Sequence, residues 1–286
     1  MLSNGGNAAN RTLAALRAAD VRLASVASRL VISNVALCAK TMPATGAIVQ
    51  ALDQYPVALR PAASSELGFA APVAIEAVVT GSAADRAGLR AGDGILAIND
   101  LELPRNLNAK TATSATRDSV ERAITALPPL APIRFRLIRA GAEFGATVSP
   151  EAACRTRFEV VPGGGLTAHS DGETIQIGSG FVQRYNDAAL AVAFAHELAH
   201  TILGHRASLA AAGDDNHRLA RLAEREADRL SVHLLVNAGY NPAIAPQFWR
   251  EHGGAIGFLG LGDSKHDSPK ARIALLEAEI ATLPRR

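Results

Sequence analysis

The sequence predicts an α+β chain built from an N-terminal helix, a small β-rich module and a mainly helical C-terminal domain with a short sheet. Three observations carry this. Leucine and valine recur at helical spacing over residues 10–31, short apolar runs separated by turns fill about 66–149, and long alanine-rich apolar stretches follow residue 187. With 286 residues the chain has room for two domains and an added helical segment, with boundaries expected at 1–55, 56–150 and 151–286. Hydrophobic residues make up 48% of it but aromatics only 4%, so alanine, leucine and valine must fill the cores.

Other function classes recede early. A net charge of +2, with no long basic run carrying interleaved aromatics, gives no reason to expect a nucleic-acid partner. The opening "MLSNGGNAAN" lacks a charged segment followed by an apolar run, so an exported product would already have lost its leader. The most apolar early stretch, "LVISNVALCA", is too short and polar to cross a bilayer, and no integral membrane segment is expected. Cys38 and Cys154 form no C-x-x-C pair, which excludes a zinc finger or thioredoxin-type site. They read as two buried thiols, with one long-range disulfide as the alternative in an exported protein.

Taken in order, Leu13, Leu16, Leu23, Val26 and Leu30 mark the apolar stripe of the first helix. The stretch to about residue 65 reads as irregular, broken by Pro43, Gly46, Pro56 and Pro61. "PVAIEAVV" and "GILAIND" are strands, "RDSVERAITAL" is a helix, and "IRFRLIRAGAEFGATV" is a hairpin turning at Ala140-Gly141. After residue 155 come a strand "RFEVVP", a turn at Gly163-Gly164-Gly165 and a strand "ETIQIGS". Long helices then run to the end, punctuated by Gly213 and "AGYNPA".

Within the β-rich module, "ELGFAAP" followed by "VTGSAADRAGLRAGDGILAIND" closely resembles a bacterial PDZ domain. The resemblance makes Leu67, Gly68 and Phe69 the carboxylate-binding loop and implies docking of peptide C-termini. Successive backbone N–H groups in a glycine turn suit a carboxylate, and a neighbouring strand edge suits an added strand. A PDZ fold serving only as a spacer is the alternative.

The chemistry concentrates in "AHELAHTILGH", residues 195–205. Its helix, read over 187–207 and capped by Asn186 or Asp187, is apolar on nearly every side and therefore buried. Buried polar side chains need partners. Positions i and i+4 lie about 40° apart around a helix and about 6 Å along it, so His196 and His200 can reach one zinc ion. Glu197 then sits beside the open coordination position. Such a pattern arises by chance in a chain like this on the order of one time in a hundred, so the third ligand decides.

Position 206 is Arg, which removes the third histidine of an H-x-x-G-x-x-H extension and leaves His205 outer or structural. A glutamate from the following helix, "HRLARLAEREADRLSVHLLVNAGY", is the other possibility. Glu224 and Glu226 both compete, and helical geometry alone does not choose. Asp228, one turn beyond Glu224, could hold a ligand imidazole and favours Glu224.

H-E-L-A-H followed by E-x-x-A-D resembles the zinc metallopeptidase group of HtpX, the CAAX prenyl endopeptidases and the periplasmic chaperone-proteases. The likeness covers about 155–286 and implies a zincin-like domain binding one zinc through His196, His200 and Glu224, with Asp228 as companion. Glu226 then falls on a variable, surface position. "KHDSPKARIALL" resembles a C-terminal H-P-x-x-x-x-R motif, with Asp at 267 in place of Pro, and implies His266 and Arg272 near the site as oxyanion partners. The resemblance also implies an edge strand at "ETIQIGS" for extended substrate and a bacterial envelope, periplasmic location in which Cys38–Cys154 would be a disulfide. A cytoplasmic location is the alternative.

The expected function is thus a zinc endopeptidase that cleaves unfolded or loosely structured polypeptides, with a peptide-docking module for delivery or regulation. The alternative is a PDZ adaptor with a latent or structural zinc site.

Overall fold

The computed structural model describes residues 3–213, 216–253 and 267–284, with side chains described from residue 12. The chain divides into two compact units, residues 1–25 with 41–153, and residues 26–40 with 154–286. Helix α1 (Ser3–Ser33) contributes to both, and Leu13, Leu23, Val26 and Leu30 of the expected stripe are buried. No described helix is long and apolar enough to cross a membrane.

The first unit carries strands β1 (Thr41–Ala44), β2 (Ala47–Ala51), β3 (Val73–Val78), β4 (Gly94–Ile98), β5 (Leu101–Glu102), β6 (Ile133–Arg139), β7 (Ala142–Val148) and β8 (Glu151–Cys154). Its helices are α2 (Arg60–Leu67), α3 (Ala83–Arg86) and α4 (Ala115–Thr125). The main sheet runs β2-β3-β4-β6-β7, with β5 on β4, and all its pairings are antiparallel. β1 and β8 pair separately. Val49, Val73, Ile75, Ile95, Ile133, Phe135 and Leu137 form the core, closed by Val120 and Ile124 of α4. Ala140 (φ 49°) and Gly141 (φ 83°) make the two-residue turn between β6 and β7, where Arg139 pairs with Ala142.

Residues 41–65, expected to be irregular, instead hold β1, β2 and α2. Strands of four and five residues, one containing Pro43 and the other starting just after Gly46, show too little alternation to read locally. Pairing of β2 with β3 forms the second of them.

The second unit has β9 (Arg157–Val161), β10 (Ala168–Ser170) and β11 (Thr174–Gly178), followed by α5 (Ser179–Arg184), α6 (Asp187–Leu203), α7 (His205–Ala212), α8 (His217–Asn237), α9 (Ile244–His252) and α10 (Pro269–Ala281). The sheet order is β10-β11-β9, antiparallel then parallel. The "ETIQIGS" strand, β11, is therefore central, and β10 is the edge. Three residues of β10 are too few to give a strand period, and the Asp171-Gly172 turn folds them back onto β11.

Residues Ala189 to Ala199 of α6 are all buried, as its composition requires. Asn186 caps it by accepting the Ala189 N–H at 2.9 Å. The helix ends at Leu203 rather than running on to 207, because Gly204 turns left-handed (φ 68°) and α7 starts there. Helix α8 packs on α6. Asn216 caps its start by accepting the Leu219 N–H, and Gly239 (φ 73°) follows its end. Cys38 and Cys154, read first as thiols, are disulfide-bonded with Cα atoms 5.4 Å apart. Spacing along a chain carries no information on a pairing made across 116 residues.

Candidate metal centre

Helices α6 and α8 bring His196, His200 and Glu224 together. The His196 and His200 Nε2 atoms lie 3.1 Å apart. Glu224 straddles them, with Oε2 at 3.2 Å from His196 Nε2 and Oε1 at 3.3 Å from His200 Nε2. Two ligand atoms bound tetrahedrally at about 2.0–2.1 Å are about 3.3 Å apart. The three edges are close to that separation, so the donor set fits a small divalent cation. Among the described residues it is the group of histidines, cysteines and carboxylates arranged closely enough for one.

Each of the two histidines has a second partner. His196 Nδ1 lies 3.1 Å from Asp228 Oδ1, and both side chains are buried. Arg272 donates to Asp228 through Nε at 2.7 Å and through Nη2, and its guanidinium lies 3.9 Å above the Trp249 ring. His200 Nδ1 lies 2.9 Å from His205 Nδ1, and His205 Nε2 is 3.1 Å from Glu226 Oε2.

The electrostatics follow from this packing. Burial opposes charge on His196, yet hydrogen bonds to Asp228 and Glu224 prevail and push its pKa up to about 10. Burial works against the Asp228 carboxylate as well, but Arg272 and His196 hold it below the usual range. Burial and the nearby His200 depress His205.

His196, His200 and Glu224 border a cleft of about 250 Å³ lined also by Glu197, His205, Arg206 and Ala168, His169 and Ser170 of β10. Glu197 is 6% exposed and flanks the ligand pair. Strand β10, at an edge of its sheet among the described residues, lies against α6 and lines the same cleft as the histidines.

Two expected roles change. Arg272 sits behind Asp228, on the Nδ1 side of His196, in a separate small cavity with Trp249 and Leu276. It reaches Asp228 and His196 Nδ1 from behind, away from the Nε2 side where an oxyanion would lie. Its expected companion His266 lies outside the described residues. Glu226, expected as a plain surface residue, is 59% exposed by side chain yet pairs with His205. Sequence spacing did not reveal this pairing, because it depends on the helix break at Gly204.

The loop at Leu67, Gly68 and Phe69 is also reassigned. Leu67 is buried against Leu13 and Ala63, and Gly68 (φ 70°) is the left-handed cap of α2. The Gly68 and Phe69 N–H groups both donate to Ser64 O, and Ala70 N–H donates to Gly92 O. These donors are spent, so they cannot cradle a carboxylate. The strand that follows, β3, is paired on both sides. The edge strand next to α4 is β2, entered through Thr45 and Gly46 (φ 75°).

Comparison with known proteins addresses the first unit. No curated protein matches the chain. Among solved structures it is similar to a crystal structure of the HtrA3 PDZ domain bound to a phage-derived ligand (FGRWV), at 16% identity and a TM-score of 0.28, covering 39% of this chain and 88% of that one. Residues 75–112, from within β3 past β5, match the PDZ domain family, and the chain contains a PDZ domain there.

Proposed function

We propose that the second unit is a zinc-dependent endopeptidase acting on unfolded or loosely structured polypeptides. The observation that supports this is the triangle of His196, His200 and Glu224 atoms at 3.1–3.3 Å, with Glu197 beside it in a cleft bordered by an edge strand. His196, His200 and Glu224 would hold the zinc, which would supply Lewis-acid chemistry at that point. Glu197 takes the proton of the attacking water and passes it to the leaving amine. Asp228, held by Arg272, keeps His196 oriented. Strand β10 offers backbone groups to an extended substrate, which favours segments that carry no structure of their own.

The PDZ domain adds polypeptide binding, and we place its peptide C-terminus along β2 and α4 instead of at Leu67–Phe69. The Cys38–Cys154 bond suits an oxidising compartment such as the bacterial periplasm. The PDZ match also favours a second reading, an adaptor whose metal cluster is only structural. Casein hydrolysis with and without chelator separates the two. Replacing Glu197 with Gln should abolish hydrolysis while zinc stays bound, and hydrolysis at the wild-type rate would remove Glu197 from its role.

A further inference from the structure

The two ligand histidines are supported differently. His196 has a buried carboxylate directly behind it, whereas His200 has another ring, His205, and behind that ring a carboxylate at the surface. We propose that His205 and Glu226 are positioning residues for His200: together they fix its ring and select the tautomer that leaves Nε2 free to bind metal. This rests on the zinc reading above.

The local fold makes the arrangement specific. In an unbroken helix, position 205 would lie about 140° around the axis from position 200. Gly204 adopts φ 68°, ends α6 and starts α7, and His205 is thereby turned back until its Nδ1 meets His200 Nδ1 at 2.9 Å. His205 is 6% exposed, so its ring is held in place by the surrounding protein.

Hydrogen-bond polarity gives the chain a direction. Two Nδ1 atoms at this distance need one proton between them. If His200 Nδ1 carries it, His200 Nε2 presents a lone pair towards Glu224 and His196, as a ligand must. His205 then accepts at Nδ1 and carries its own proton on Nε2, facing the Glu226 carboxylate at 3.1 Å. Each donor meets an acceptor. Reversing the chain would aim the His205 Nε2 lone pair at a carboxylate and put the His200 proton on Nε2, where it would block the metal. The Glu226 charge therefore favours the binding tautomer through the intervening ring, as outer-shell carboxylates do directly.

The test measures zinc affinity on the full chain by competition with a chromophoric chelator, together with the visible spectrum of the cobalt-loaded protein. Thermal unfolding of each metal-free variant checks the fold. His205→Leu removes the acceptor, and His205→Asn keeps one near the Nδ1 position. Glu226→Leu removes the terminal charge at a side chain exposed enough to tolerate it. We expect His205→Leu to weaken zinc binding roughly 10–100-fold and to change the cobalt spectrum. His205→Asn should recover most of the affinity, and Glu226→Leu should weaken it several-fold. A His205→Leu variant within twofold of wild type with an unchanged cobalt spectrum overturns the proposal, as does His205→Asn binding no better than His205→Leu. If His205→Leu does not fold, Glu226→Leu decides alone, and wild-type affinity there overturns it. A wild-type chain that takes up no zinc overturns the reading beneath it, which is a distinguishable result.

Discussion

Replacing Arg272 with Met should destabilise the second unit severely, by about 3–5 kcal/mol, because it strips the stronger of two counter-charges from a buried carboxylate and leaves it His196 alone. Arg272 is 2% exposed and Asp228 3%, and the guanidinium holds both carboxylate oxygens. Stacking on Trp249 at 3.9 Å adds to the loss, up to about 2 kcal/mol for a desolvated cation. Asp228→Asn should also be costly, since it takes the paired carboxylate away from a buried guanidinium. The double variant removes both charges and should cost clearly less than the sum of the singles, a coupling of about 2 kcal/mol or more. Urea unfolding of metal-free protein at neutral pH measures all four chains. Fluorescence reports the correct unit, because Trp249 is the single tryptophan of the sequence. Single-variant losses that add within about 0.5 kcal/mol would show that the pair is uncoupled and the account of how His196 is held is wrong.

Glu76, on β3, is pushed up to about 8 by burial and by Asp20, against the pull of Arg17 and Arg117, with Tyr55 and Glu121 also facing it. The folded state therefore holds a proton that the unfolded chain releases at a lower pH, and stability of the first unit should fall as pH rises from about 4.5 to about 8 and then level off. Glu76→Gln should flatten that profile and gain a few kcal/mol above the window; an unchanged slope contradicts the assignment. Ala140 adopts φ 49° in the β6–β7 turn, so Ala140→Asn should stabilise the first unit by about 1 kcal/mol in urea titrations, and a loss of stability would refute the turn assignment. Reducing Cys38–Cys154 should lower the stability of the second unit by several kcal/mol, given the long loop it closes, and an unmoved Trp249 transition would refute that contribution.

How far the sequence could be read follows from the range of the interactions. The start and apolar body of α6, the Asn216-capped helix α8 and the Ala140-Gly141 hairpin rest on periods and turn residues within a few positions and form where those residues put them, whereas α6 stops at Leu203, short of the expected 207, because of Gly204. The placement of Glu224 opposite the histidines needed one further step, Asp228 on the same helix face. Features made by long-range pairing were harder. Strand β2 exists because β3 is beside it, β11 is central because the three-residue β10 folds back on it, and Cys38 meets Cys154 across most of the first unit's sequence. The Leu67-Gly68-Phe69 run misled for a different reason. A leucine before a left-handed glycine is as good a helix stop as a carboxylate loop, and only the α2 carbonyls that consume its N–H groups tell them apart.

Zinc stoichiometry is the most direct test, measured by elemental analysis of the full chain and of His200→Ala and Glu224→Ala after dialysis against equimolar zinc. One zinc per wild-type chain is expected, with a large loss in both variants and the Trp249 fluorescence of folded protein retained. A wild-type chain without zinc, or a Glu224→Ala variant that keeps its full equivalent, would contradict the proposed metal centre.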